Sequence, residues 1–365
     1  MERMGISARF LRGGAYRIGR KRKLSHSYND VISLENLCLA WQEFIVGKKQ
    51  KKDVQIFSRN LMDNILALRE ELVNKSYKHG GYESFFVNDP KRRYIHKASV
   101  RDRLLHHAIY RILYPFFDRT FIPDSFSCRL DKGTYRAINR LHAMFYQVSQ
   151  NNTRICWILK CDIRKFFDSI DHWVLLNILT ENISDKNILL LLENIIESYR
   201  TEILRSAQNG NFSSVSEGRI GLPLGNLTSQ LFANVYMNVF DQWVKHKLKV
   251  KHYIRYADDF VFLSPDKQYL ENVLLEVGVY LKEKLKLYLH PNKVSLKTFS
   301  SGMDFLGWVN FPNHRILRKN TENRMFVRTR ENPTLQTLES YLGLLKHGNT
   351  NKIQERLLME SWIAR

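Results

Sequence analysis

The sequence predicts an α+β fold. Apolar residues recur at helical spacing along much of the 365-residue chain, short β-prone runs stand between those segments, and carboxylates end or bend two of the runs. Hydrophobic residues are 44% of the chain and aromatics 12%, enough to build real cores, so wholesale disorder is excluded and the length suits two or three cooperating subdomains. No apolar run reaches the roughly 18 residues of a membrane-spanning helix. The densest, Ile188 to Ile196, is interrupted by Glu193 and Asn194, so no membrane association is expected. Cys38, Cys128, Cys156 and Cys161 form no C-x-x-C pair, which argues against a zinc ribbon and suits a reducing, cytoplasmic setting.

Taken in order, Met1 to Leu24 carries eight Lys/Arg against one Glu without a continuous apolar core, a pattern of a transit peptide or a nucleic-acid-binding arm rather than a secretory signal. Leu34 to Val46 and Phe57 to Val73 have helical periodicity, with the charged stretch Gly47 to Asp53 as an exposed connection. Tyr82 to Ala98, containing FFVNDPKRRYIHKA, predicts a basic hairpin. Helices follow at Arg101 to Phe117 and Gly133 to Val148. Ile155 to Ile163 (ICWILKCDI) is apolar enough for a central strand and closes on a carboxylate. Helical pattern returns at Trp173 to Leu179, Ile188 to Tyr199 and Ser229 to Leu248, with a surface loop at Ser206 to Gly218. His252 to Ser264 (HYIRYADDFVFLS) predicts a tight hairpin with Asp258 and Asp259 at its bend. Gln268 to Leu285 is amphipathic, Gly302 to Phe311 strand-like, and Thr334 to Trp362 helical and basic.

With 57 Lys+Arg against 36 Asp+Glu, the net charge is +21, which calls for a polyanionic partner. The basic segments at Arg20 to Lys23, Lys48 to Lys52, Lys91 to Arg93 and Lys245 to Lys251 either line one groove or decorate the surface. Asp162 and Asp258 lie 96 residues apart at the end of one β-prone run and the bend of another, so adjacent strands can bring them together. Carboxylates converging on a sheet repel, and such a cluster persists mainly where a hard cation neutralises it. Two Mg²⁺ ions about 3.5–4 Å apart on shared aspartates activate an attacking hydroxyl and stabilise a leaving pyrophosphate. The plain alternative for an Asp-Asp pair is a solvated turn.

YADD (Tyr256 to Asp259), CDIRKFFDSIDH (Cys161 to His172) and GLPLGNLTSQ (Gly221 to Gln230) resemble the three core palm motifs of reverse transcriptases. PKRRYIHKASVRDRLLHHAI (Pro90 to Ile109) is similar to the fingers motifs, LHPNKV (Leu289 to Val294) to the palm lysine motif, and GMDFLGW (Gly302 to Trp308) to the primer-grip region. The resemblance implies a right hand: fingers with a basic hairpin, a palm with an antiparallel sheet backed by helices, and a short helical thumb. The implied division is a basic arm and helical lead-in over 1–55, fingers over 56–150, palm over 151–311 and thumb over 312–365. It also implies that Asp162 and Asp258 hold Mg²⁺, with Mn²⁺ as a substitute, that Asp259 supports the cluster, and that the Ile163 carbonyl is a further ligand. Phe167 would stack under the deoxyribose and exclude a 2′-hydroxyl; otherwise it is a core aromatic beside Phe166. Lys91, Arg93 and Arg101 are candidates for the triphosphate, since guanidinium forks match phosphate oxygens. Leu224, Gly225 and Gln230 would shape the nucleotide pocket, and Lys293 would protonate the pyrophosphate unless it is an ordinary surface lysine. Tyr256, Gly302, Phe305, Gly307 and Trp308 would meet the primer-template.

Most reverse transcriptases have Gln before the pocket glycine and Pro after its serine, whereas this chain has Leu224 and Gln230. LGNLTSQ resembles the reverse transcriptases of diversity-generating retroelements, as do SVRDR (Ser99 to Arg103) and YLGLLKHGNT (Tyr341 to Thr350). That implies error-prone copying with errors at template adenines, dNTPs as substrates, and a structured template RNA and an RNA–DNA hybrid as partners. A small basic, oligomeric accessory subunit (an accessory variability determinant) and a bacterial, archaeal or phage source are implied too. Leu224 alternatively only repacks the pocket floor. The competing functions are a group II intron-like, retron or phage-defence reverse transcriptase, a non-catalytic RNA-binding scaffold, and a two-metal nuclease.

Overall fold

The computed structural model describes residues 23–88, 92–208 and 220–363. Most of the basic arm, Lys91 and most of the expected surface loop at 206–218 lie outside them. Mixed helix and sheet is the observed class. The first third is helical: α1 (Tyr28–Ile32), α2 (Leu34–Phe44) and α3 (Lys52–Arg59) gather against α5 (Val100–Asp118), and α4 (Leu61–Val73) packs on the first three. Two helices stand where the periodicity suggested one from Phe57, because α3 begins at Lys52 inside the supposed connection and the chain breaks at Asn60. Lys and Gln are adequate helix formers, so Val54, buried to 1% exposure, anchors an otherwise solvated helix. The basic hairpin forms as expected from β1 (Tyr82–Val87) and β2 (Arg93–Ala98), in register from Tyr82 opposite Ala98 to Val87 opposite Arg93.

After α6 (Thr134–Val148) comes β3 (Trp157–Asp162), and later β4 (Tyr253–Tyr256), β5 (Asp259–Ser264) and β6 (Ser295–Thr298). They form one antiparallel sheet in the order β4-β5-β3-β6, so the apolar run ending at Asp162 is an interior strand, as its composition predicted. Alternation splits its side chains between two cores. Leu159, Cys161, Tyr253, Phe260 and Phe262 face α9 (Leu227–His246) and α10 (Lys267–Leu285). Phe240 of α9 sits 5.2 Å from the Phe260 ring and 6.0 Å from that of Tyr253. Ile158, Ile254, Val261 and Leu263 face the opposite way, into the core that contains Ile138, Leu141 and Phe145 of α6. Each fully buried side chain of this size contributes about 1.5–3 kcal/mol, so both faces hold the sheet firmly.

Between β3 and α9 run α7 (His172–Asn182) and α8 (Lys186–Gln208), the latter extending beyond the helical pattern read to Tyr199. The strand-like text at Gly302 to Phe311 resolves into a hairpin of β7 (Met303–Phe305) and β8 (Trp308–Asn310), to which β9 (Arg315–Leu317) adds a third strand. Then follow α11 (Lys319–Glu331), α12 (Leu335–Leu345) and α13 (Asn351–Ile363). Among the described residues no helix is long and apolar enough to cross a membrane.

Candidate active site

Asp162 is the last residue of β3 and stands directly opposite Asp259, the first of β5. The Asp162 carbonyl accepts from the His290 N–H at 2.8 Å on the β6 side. Asp162 and Asp259 are therefore a non-hydrogen-bonded pair, the kind in which facing side chains approach closest, with Cα atoms about 4.5 Å apart. Asp258 occupies the two-residue connection Ala257–Asp258 between β4 and β5, so the bend lies one residue earlier than an Asp258/Asp259 turn. Ala257 takes a left-handed φ of 55°, uncommon for a side chain bearing Cβ and a mark of a turn held by its surroundings. Ile163 bridges Leu289, and the flanking bonds Arg164 N–H to Tyr288 O and His290 N–H to Asp162 O use the neighbouring residues. In that pattern the Ile163 carbonyl points away from Leu289, toward the side where Asp258 lies.

The carboxylates act on one another. Burial, then the neighbouring Asp162 charge, push the Asp258 carboxyl up to about 6. Burial also raises Asp259, opposed by the Lys160 ammonium. Two lysines offset the negative charge: Lys293 Nζ donates to Asp162 Oδ1 at 2.7 Å, and Lys160 Nζ lies 3.5 Å from Asp259 Oδ1. Asp259 Oδ1 is buried and makes no hydrogen bond. Beside the pair opens a cavity of about 310 Å³, walled by Lys160, Asp162, Asp259, Lys293, Asp304 and Arg318 among others.

Among the described residues no three His, Cys, Asp or Glu side chains are grouped as a metal cage. The expected cluster is thus an open set, with two facing carboxylates engaged by lysines and a third on the turn. Its chemistry still fits a hard divalent cation: the donors are carboxylate oxygens, one of them buried without a hydrogen bond, and Cys161 points into the opposite core. A bound cation would take over the charge balance that Lys293 and Lys160 supply here.

The nucleotide-pocket candidates divide. A 3₁₀ turn (Phe167–Ser169) separates the phenylalanine pair, leaving Phe166 in the core at 3% exposure and Phe167 only half-buried. The Phe167 carbonyl accepts from Leu222 N–H at 2.8 Å, and the Leu224 carbonyl accepts from His96 N–H of β2 at 2.9 Å. One loop thereby ties the Phe167 turn to the basic hairpin. Gly225 takes φ 114°, and a Cβ there would approach Ile95 Cγ2 to 3.0 Å, so glycine lets this loop lie against β2. Gln230 is half-buried in the first turns of α9, and Arg93 is exposed at the start of β2. Arg101 is not free for a triphosphate as it stands: its guanidinium bonds Glu71 and the Lys78 carbonyl and lies 4.9 Å from the Tyr77 ring centre.

Two of the primer-template candidates require a correction. Phe305 and Trp308 are 0% and 1% exposed, so their rings are core, not surface that a duplex can touch. Gly302 takes φ 86° just before β7, and Gly307 φ 89° in the turn from β7 into β8. Tyr256 is half-buried with its hydroxyl 3.3 Å from Thr134 Oγ1. The sequence reading missed Lys160, whose ammonium also donates to the Asp304 carbonyl at 2.9 Å. The signal was available: Lys160 is two residues before Asp162 and so on the same sheet face. Also missed was Arg255, buried within β4.

Residues 82–309 match the family described as reverse transcriptase (RNA-dependent DNA polymerase). Protein YkfC of Escherichia coli (strain K12) is 24% identical over 286 residues, covering 69% of this chain and 71% of that protein. The group II intron-encoded protein LtrA of Lactococcus lactis subsp. cremoris is 21% identical over 283 residues, 60% of this chain and 45% of LtrA. A telomerase structure from Candida albicans, solved with a fragment of telomeric RNA, has TM-score 0.49 at 12% identity, over 79% of this chain and 55% of that one. The chain therefore spans about half the length of LtrA and of the telomerase.

Proposed function

The chain belongs to the reverse transcriptase family, and from that membership we propose that it extends a primer along an RNA template by divalent-ion-assisted nucleotidyl transfer at Asp162, Asp258 and Asp259. The observation that carries this reading is the facing pair Asp162 and Asp259, with Asp258 on the adjoining turn, beside an open cationic cavity. In this reading the central sheet with α9 and α10 is the palm, the β1–β2 hairpin belongs to the fingers, and α11 to α13 form the thumb. Asp162, Asp258, Asp259 and the Ile163 carbonyl would hold Mg²⁺, or Mn²⁺ in its place, which supplies an activated 3′-hydroxyl and a stabilised pyrophosphate. Phe167 and Leu224 wall the sugar and base of the incoming dNTP, and Gly225 lets backbone approach it. Arg93 and Lys91 bring positive charge to the triphosphate. Lys293, already at Asp162, is poised to protonate the leaving pyrophosphate.

Two refinements differ in biology. LGNLTSQ, with Leu224 half-buried at the pocket where an amide is usual, favours the diversity-generating type, with adenine-directed errors, a structured template RNA and a small basic accessory subunit. An aliphatic side chain there makes no hydrogen bond to penalise mispair geometry. The likeness to LtrA favours a group II intron-like reverse transcriptase instead. Primer extension on RNA with Mg²⁺ tests the shared chemistry: wild type is expected to extend, and Asp258→Ala to lose about a thousandfold or more, the scale of several kcal/mol of metal-borne stabilisation. Extension unaffected by Asp258→Ala would sink it. Misincorporation scored opposite each template base then separates the refinements. The diversity-generating reading expects excess errors at adenine that Leu224→Gln reduces; uniform errors in the wild type count against it.

A further inference from the structure

We propose that Arg255, gripped by Asp241, is a positioning residue that fixes the Ala257–Asp258 turn and so aims the carboxylates; this rests on the polymerase reading above. Both side chains are wholly buried. Arg255 Nε donates to Asp241 Oδ1 at 2.8 Å, and Nη2 to Asp241 Oδ2 at 2.7 Å and Ser125 Oγ at 3.1 Å. Nη1 donates to Asn234 Oδ1 at 3.4 Å and to the Ala257 carbonyl at 3.0 Å. Tyr253 OH closes the set on Asp241 Oδ1 at 2.7 Å. The backbone is held as well, Arg255 N–H to Asp124 O at 2.9 Å and Phe126 N–H to Arg255 O at 3.0 Å.

A buried ion pair is poor evidence of a stability device, because apolar replacements of similar volume are often as stable. The target of the spare nitrogen suggests another role. The Ala257 carbonyl belongs to the peptide plane that delivers the Asp258 nitrogen, so fixing it fixes the direction of the Asp258 side chain and the start of β5 opposite Asp162. It also holds Ala257 in the left-handed region that its Cβ disfavours. Only a planar fork that already satisfies Asp241 has a donor left for this oxygen; a lysine ammonium on a flexible stem cannot reproduce the geometry. Asp241 and Asn234 both lie on α9, the helix that begins two residues after Gly225. One rigid element therefore carries both the nucleotide loop and the grip on the metal-binding turn.

The experiment compares wild type, Arg255→Lys, Arg255→Lys/Ala257→Gly and Asp258→Ala as full chains, each below its own melting temperature. Primer-template affinity, kcat per folded molecule and Mn²⁺ binding by electron paramagnetic resonance are measured. Arg255→Lys is expected to bind primer-template within about twofold of wild type while kcat falls about tenfold to a hundredfold, the scale of a small misplacement of reacting groups, and Mn²⁺ binding weakens. Ala257→Gly should restore part of both losses, because glycine enters the left-handed turn without the clamp. A purely structural role would lower the melting temperature and show no such rescue. Wild-type kcat and Mn²⁺ affinity in Arg255→Lys, or losses that Ala257→Gly leaves untouched, overturn the proposal. Should Arg255→Lys fail to fold, Arg255→Met/Asp241→Leu, which removes the donor to the Ala257 carbonyl without leaving a buried charge unpaired, is measured with and without Ala257→Gly and judged by the same outcomes. Wild type without polymerase activity would defeat the polymerase reading instead, a result distinct from an active wild type matched by Arg255→Lys.

Discussion

Asp258 carries a cost that the proposed function would explain. Its carboxyl is raised to about 6 by burial and by Asp162, so at neutral pH its charge works against folding. Asp258→Asn removes that charge at nearly constant volume and is expected to raise stability in chelator by about 1–2 kcal/mol, seen as a higher melting temperature, while polymerase activity disappears. Unchanged or lower stability would mean that the carboxylates do not repel as their spacing implies. At this scale the sequence was informative wherever a residue type is chemically committed. Asp162, Asp258 and Lys293 could be picked out as candidates because their motifs fix both identity and spacing. Phe305 and Trp308 could not be judged, since a motif says which residue is present and not whether its ring is buried. Lys160 and Arg255 were hidden differently: a lone cation in an apolar strand reads as an interruption until its partner, Asp259 or Asp241, is known.

Helices and strands followed periodicity closely where one face is buried. The apolar run of β3 and the tightness of the β4–β5 hairpin were both legible, though its bend lies one residue earlier than read, because an interior strand has no polar face to show and a tight turn needs little text. The start of α3 was not, since it lies in a lysine-rich run that reads as an exposed connection. The turn between α12 and α13 is an element-scale feature with a measurable consequence. Trp308 packs so closely on Gly348 that an added Cβ would come within 2.1 Å of its ring, and His347 stacks on Tyr135 of α6 with ring centres 3.4 Å apart. Gly348→Ala should therefore destabilise the chain by about 1–3 kcal/mol through overpacking, visible as a lower urea midpoint and faster proteolysis within α12 and α13. A midpoint equal to wild type would show that Trp308 moves aside freely.

Across the whole molecule, the +21 charge and the buried histidines set how solution conditions act. Duplex or RNA binding should weaken steeply with salt, as phosphate contacts require. Burial lowers His79, His96, His106, His107, His142 and His252, with His96 and His107 at about 4. A histidine kept neutral in the fold supports stability above its unfolded value near 6.5, and that support is lost as pH falls toward about 4, by at most about 1.4 kcal/mol per pH unit each. Asp168, Asp258 and Asp259, all raised, act in the opposite sense over the same window. The histidines outnumber them, so the melting temperature in chelator should be lower at pH 5 than at pH 7; a rise would make carboxylate repulsion the dominant force. The amino-acid text alone determined the class of chemistry, most of the helices and strands and which acidic residues to propose, because those depend on residue type and local spacing; β6, β9 and α11 it did not show. Only the tertiary structure decided that Asp162 faces Asp259, that lysines balance them, and that a buried arginine holds the turn. Those facts depend on strand register and on which distant side chains a shared core brings within hydrogen-bond reach.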